Sequence, residues 1–165
     1  MKTSNKKKMN DKKSLTIFKN KVSELMSIYN LTEADFNLAI DRNVGYIQHI
    51  FSDDYFMPSI DTILKIAYMF EIDYKDLIGK HPYNYFCREL LLPAMFEQKM
   101  TIQELSQKTG IRPEMFDLFY KNKRKFPSFN NVKKIAQALN CNHNVWLLAL
   151  GNYGSKDFKS NRLRT

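Results

Sequence analysis

A shift of 69 residues brings this chain into register with itself. Leu31-Thr32 becomes Met100-Thr101, Phe36 becomes Leu105, and Ile47 and Ile50 become Phe116 and Phe119. Pro58-Ser59 becomes Pro127-Ser128, Lys65-Ile66-Ala67 becomes Lys134-Ile135-Ala136, and Leu77 becomes Trp146. No gap is needed, so the 165 residues read as a tandem duplication of one five-helix unit.

Each unit is expected to be all-α. Almost no segment alternates apolar and polar residues, and the chain has only 5 Gly and 5 Pro to break helices. In the first copy, Phe18, Val22, Leu25, Met26 and Tyr29 recur at helical spacing on one face. Thr32 offers an N-cap, with Asp35 where a capping box prefers Glu. A second helix over about 33–40 buries Phe36, Ala39 and Ile40, and a third buries Ile47, Ile50 and Phe51. Ser59 caps a fourth helix with Ile63, Ile66, Ala67 and Phe70 inward, and a short fifth carries Leu77 and Ile78 up to Gly79. In the second copy Pro93 falls inside the first helix and predicts a kink or restart there.

The resulting domains are a basic disordered tail at 1–14, a first unit at 15–79, a second at 80–151 and a basic C-terminal tail at 152–165. Charge separates the units. Residues 18–79 carry five basic against ten acidic residues, whereas 80–150 carry eleven against five. Residues 1–17 hold six Lys against Asp11, and 151–165 four basic residues against one acid. The N-terminal tail reads either as a polyanion-binding arm or as a solubilising tail.

Several classes of function have no support. No apolar run approaches the roughly 18 residues of a membrane span, and the basic N-terminus is not followed by a signal-peptide core, so a cytoplasmic location is expected. Cys87 and Cys141 form no CxxC pair and read as small buried hydrophobes. His49, His81 and His143 have no metal-spaced partners, and Asp53-Asp54 reads as turn composition. No P-loop, dinucleotide fingerprint or catalytic cluster occurs, so no enzyme, cofactor, metal or small-molecule substrate is expected.

Residues 100–128 place a capped helix, a tight turn, a second helix and a basic loop in succession. The second copy carries T-x-x-E-L (Thr101 to Leu105), T-G-I-R-P-E (Thr109 to Glu114), L-F-Y-K-N-K-R-K (Leu118 to Lys125), P-S, and K-I-A-x-A-L-N-C (Lys134 to Cys141). With these motifs the two copies, over about residues 18–150, resemble the lambda-repressor-like, or XRE-type, helix-turn-helix family. The resemblance implies sequence-specific binding of double-stranded DNA in transcription control. It also implies that the third helix of each unit enters the major groove, while the start of the second helix and the loop before the fourth touch phosphate.

In the second copy, Thr101 with Glu104 leaves helix N-terminal amides for phosphate. Arg112, Glu114, Met115, Asp117 and Leu118 are left toward the groove: Arg112 suits guanine O6 and N7, and Glu114 or Asp117 suits cytosine N4. Lys121, Lys123, Arg124 and Lys125 supply sequence-independent attraction to the backbone. The first copy shows Asn43, Tyr46, Gln48 and His49 on its third helix, read either as base-contacting groups or as an ordinary polar face, and its following loop is acidic. The family's common phosphate-contacting Gln after the capping Thr is Glu33 in one copy and Ile102 in the other.

The leading expectation is a transcriptional regulator whose second copy is the main reader, with the acidic first copy reading another half-site or forming a homodimer or protein-partner surface. The alternative is a protein-binding module on a degenerate helix-turn-helix scaffold, such as an antirepressor, antitoxin or inhibitor.

Overall fold

A computed structural model describes residues 2–54, 56–79, 84–120 and 127–152, with side chains at all of these except 2–11, 117, 119, 120 and 152. The described residues form helices and their connections, with no strand among them. The chain divides into two compact units, Met1–Pro82 and Tyr83–Thr165.

The first unit contains α1 (Lys2–Ile28), α2 (Glu33–Ala39), α3 (Tyr46–Ser52), α4 (Ile60–Phe70) and α5 (Tyr74–Ile78). α5 packs against α1 and α4, and α2 packs against α3. The core follows the helical spacing: Phe18, Val22 and Leu25 from α1 join Phe36, Ile47, Ile50, Ile63, Ile66, Ala67 and Leu77, all at most 3% exposed. Phe36 stacks on Phe70 at 5.4 Å between ring centroids, and Tyr29 tilts onto Phe70 at 5.1 Å.

The inward set is narrower than the periodicity predicts. Met26, Ala39 and Phe51 are half-buried, and Tyr29 is exposed apart from its contact with Phe70. α2 and α3 are only 7 residues long, and so short a helix buries a narrower stripe.

α1 departs most from expectation. Residues 2–14, predicted as a disordered tail, continue the helix that packs into the core from Ser14 and Leu15 onward. A helix nucleated by tertiary packing propagates at one hydrogen bond per added residue, and this Lys-rich stretch contains no Gly or Pro to stop it.

The second unit contains a π-helical turn at Phe86–Leu91, α6 (Leu92–Glu97), α7 (Ile102–Thr109), α8 (Pro113–Tyr120), α9 (Phe129–Ala138) and α10 (His143–Asn152). α9 packs against α7 and α10, and α8 against α7 and the π-helical turn. Phe86, Cys87, Leu91, Leu105, Phe116, Val132, Ile135 and Ala136 are fully buried, with Trp146 edge-on to Phe86 at 5.9 Å.

Pro93 explains the π-helical turn. Proline has no amide hydrogen, and its ring collides with the carbonyl four residues back in a regular helix. Here the Leu92 amide bonds back to the Cys87 carbonyl, five residues away, and Pro93 falls in the first turn of α6, where no donor is needed.

Helix ends recur at one offset. Thr32 and Thr101 cap α2 and α7 with reciprocal capping boxes, and Ser59 and Ser128 cap α4 and α9. The left-handed residues Asn30, Asp41 and Glu71 have left-handed counterparts 69 positions on in Lys99, Gly110 and Asn140. At five of these six, the amide of the next residue reaches back to a carbonyl five residues earlier: Leu31 to Met26, Arg42 to Asn37, Ile72 to Ala67, Met100 to Met95 and Cys141 to Ala136. These bonds satisfy helix-terminal carbonyls that otherwise lack partners.

Candidate nucleic-acid interface

Thr101 starts α7. Its hydroxyl accepts the Glu104 amide at 3.2 Å, and the Glu104 carboxylate accepts the Thr101 amide at 2.8 Å. The left-handed Gly110 ends α7, and the chain turns through Ile111 and Arg112 into α8. Two bonds brace this turn: the Ser106 hydroxyl donates to the Ile111 carbonyl at 2.6 Å, and the Ile111 amide donates to the Thr109 hydroxyl at 3.2 Å.

With Phe116 turned fully inward, Arg112 and Glu114 are exposed and Met115 and Leu118 half-buried. The side chain of Asp117 lies outside the described residues, as do Lys121, Lys123, Arg124 and Lys125. Ile102 is buried at 8% exposure, so the side chain of the first residue of α7 belongs to the core and has no polar group for a phosphate.

In the first unit the corresponding capping box uses Asp35. Its carboxylate accepts the Thr32 amide at 2.9 Å and hydroxyl at 2.6 Å, while its own amide donates to the Thr32 hydroxyl at 3.1 Å. The shorter side chain therefore closes the motif that Glu usually closes. The hydroxyl bond, then the amide bond, hold the Asp35 carboxyl below the usual carboxylate range.

The first unit's candidate residues differ in their engagement, and Asn43 lies not on α3, as expected, but in the connection before its N-cap Gly45. Asn43, Gln48 and His49 are exposed. Gln48 accepts a hydrogen bond from the Asn37 side chain at 3.2 Å, and His49 packs edge-on to Phe56 at 4.8 Å. Tyr46 is half-buried: its hydroxyl lies 3.0 Å from that of Thr62, and the Arg42 guanidinium sits 5.3 Å above its ring. Burial pushes the Tyr46 phenol up, with smaller opposing effects from the Thr62 bond and the Arg42 charge.

The groups that organise this surface were not apparent in the sequence. Arg42 donates to Thr62 at 2.8 Å, Asp61 at 3.2 Å and Ser59 at 3.3 Å, and Lys65 pairs with Asp61 at 3.3 Å and Asp41 at 3.7 Å. Lys19 reaches from α1 to the Phe51 and Asp53 carbonyls at 3.2 and 3.0 Å, placing a cation at the C-terminal end of α3, and lies 3.7 Å from the Asp54 carboxylate. The acidic loop is thus partly neutralised from within its own unit. Within the Arg42 cluster, the Asp61-Lys65 pair at i,i+4 is the contact that the sequence spacing signals.

Cys87 is fully buried, as expected, and burial raises its thiol pKa strongly. Cys141 is only half-buried: it follows the left-handed Asn140 at the end of α9, where the chain leaves the core. Desolvation, then the Glu97 charge, raise its thiol as well. No group of three or more His, Cys, Asp or Glu is placed to hold a metal ion among the described residues. No helix among them is long and apolar enough to cross a membrane.

Residues 91–143 match the Cro/C1-type HTH DNA-binding domain. The match spans α6 to the start of α10, including the Thr101 capping box, the turn from Gly110 through Arg112 and the α8 segment that carries Glu114. No curated protein and no solved structure matches the chain.

Proposed function

We propose that this protein is a sequence-specific, duplex-DNA-binding transcriptional regulator of the cytoplasm, built from two tandem lambda-repressor-like units with the second as the main reader. The observation that carries the reading is the Cro/C1-type match at residues 91–143. Within it, Thr101 presents the α7 amides, and Arg112, Glu114, Met115, Asp117 and Leu118 supply the groove-facing set. Lys121, Lys123, Arg124 and Lys125 provide the charge that holds phosphate.

The recurrence of two caps and three left-handed positions at a single offset supports a repeat of the same unit. The first unit, with Tyr46, Gln48 and His49 on α3 and Asn43 in the connection before it, is the weaker reader or the surface for a homodimer or protein partner. If both units read, their half-sites lie about one helical turn apart, and the operator need not be palindromic because the units differ.

The test is a mobility-shift titration of the full chain on its selected duplex with Lys123, Arg124 and Lys125 all changed to Glu. Loss of the shift is expected. An unchanged shift would remove the second unit as the reader.

A further inference from the structure

Asp61 in the first unit sits among groups suited to a phosphate. Arg42 Nη2 lies 3.2 Å and Lys65 Nζ 3.3 Å from the same carboxylate oxygen. The Ser59 and Thr62 hydroxyls both accept from that Arg42 nitrogen. Two cations beside the N-terminus of an 11-residue helix form a local environment that attracts phosphate oxygens. The cluster adjoins α3 through Tyr46, which touches both Arg42 and Thr62. Arg42 also keeps a buried Nε without an acceptor, so the carboxylate satisfies the guanidinium only in part.

The position 69 residues on is Asn130, in the first turn of α9, exposed and neutral, with Lys134 exposed one turn later. The same helix end therefore carries an internal anion in the first unit and none in the segment that matches the DNA-binding domain.

We propose that Asp61 lowers the phosphate affinity of the first unit, its carboxylate occupying the Arg42 and Lys65 cluster that would otherwise be open to the DNA backbone. The inference rests on the reading that the chain binds duplex DNA. Asp61 acts by withholding two cations from solution and by repelling phosphate, so its removal strengthens sequence-independent binding without changing base preference.

The test uses the full chain and the slope of log affinity against log salt on one duplex. Asp61→Asn should steepen the slope by about 0.9 to 1.8, the lower figure applying if Asp41 continues to hold Lys65. The affinity advantage over the wild type then grows by about three- to twelvefold on dilution from about 200 to about 50 mM salt. Asn130→Asp, an exposed change in a helix first turn that favours acids, should shift the slope the opposite way by about one contact. Wild-type binding with an unchanged slope in Asp61→Asn would overturn this inference alone, whatever the slope of Asn130→Asp. Absence of duplex binding in all three proteins would overturn the underlying reading as well.

Discussion

The side chain of Asn37, 1% exposed on α2, accepts the backbone amide of Ile47 at 2.9 Å. Ile47 lies in the first turn of α3, where amides have no partner within their own helix, and Gly45 at the N-cap provides no side chain to supply one. A residue of the preceding helix therefore does the capping. Because the amide must donate, the Asn37 oxygen faces Ile47 and its nitrogen faces Gln48, which fixes the Gln48 carbonyl toward Asn37.

Replacing Asn37 by Ala leaves the Ile47 amide buried and unpaired. The expected cost is about 1–3 kcal/mol in the first unit, with faster amide exchange at Ile47. Urea unfolding together with residue-resolved hydrogen exchange measures both, and unaltered exchange at Ile47 would contradict the capping role.

Thr101→Ala removes the acceptor for the Glu104 amide and opens the capping box of α7. A loss of about 1 kcal/mol is expected, and Thr101→Ser, which keeps the hydroxyl, should recover most of it. Thermal unfolding of both variants provides the comparison. Equal stability of Ala and Ser variants would show that the hydroxyl contributes nothing.

Asp35 gives the first unit an acid-sensitive cap. Its folded-state pKa is depressed, so the ionised carboxylate stabilises the fold. That contribution is complete above the unfolded-state pKa and is lost as pH falls through the folded-state pKa. Asp35→Asn should flatten this part of the acid limb when stability is followed against pH. A curve parallel to that of the wild type down to the acid transition would refute the assignment.

Much of the helical framework was legible because its causes are local. Thr32, Ser59, Thr101 and Ser128 cap helices as their positions predict, since a cap depends on a side chain and amides two or three residues away. Pro93 announced an irregular helix, but not that the chain would respond with a π-helical turn. The helical course of residues 2–14 is not legible in their composition, because it depends on the packed helix to which they are joined. In the candidate site, the exposure of Arg112 and Glu114 followed from Phe116 being core. The Arg42 and Lys19 networks depended on residues 17 to 35 positions apart, beyond any periodic pattern.

The sequence by itself determined helices, their capped ends, the apolar faces they bury and the opposite charge of the two halves, because spacing, caps and charge are properties of neighbouring residues. Only the tertiary structure decided what the charges face. Asp61 counted in the sequence simply as one acid in an acidic half. Lys65 is its helical neighbour one turn on, but folding brings Arg42 against the same carboxylate from the connection before α3, and Coulomb attraction at about 3 Å makes that pairing local and specific.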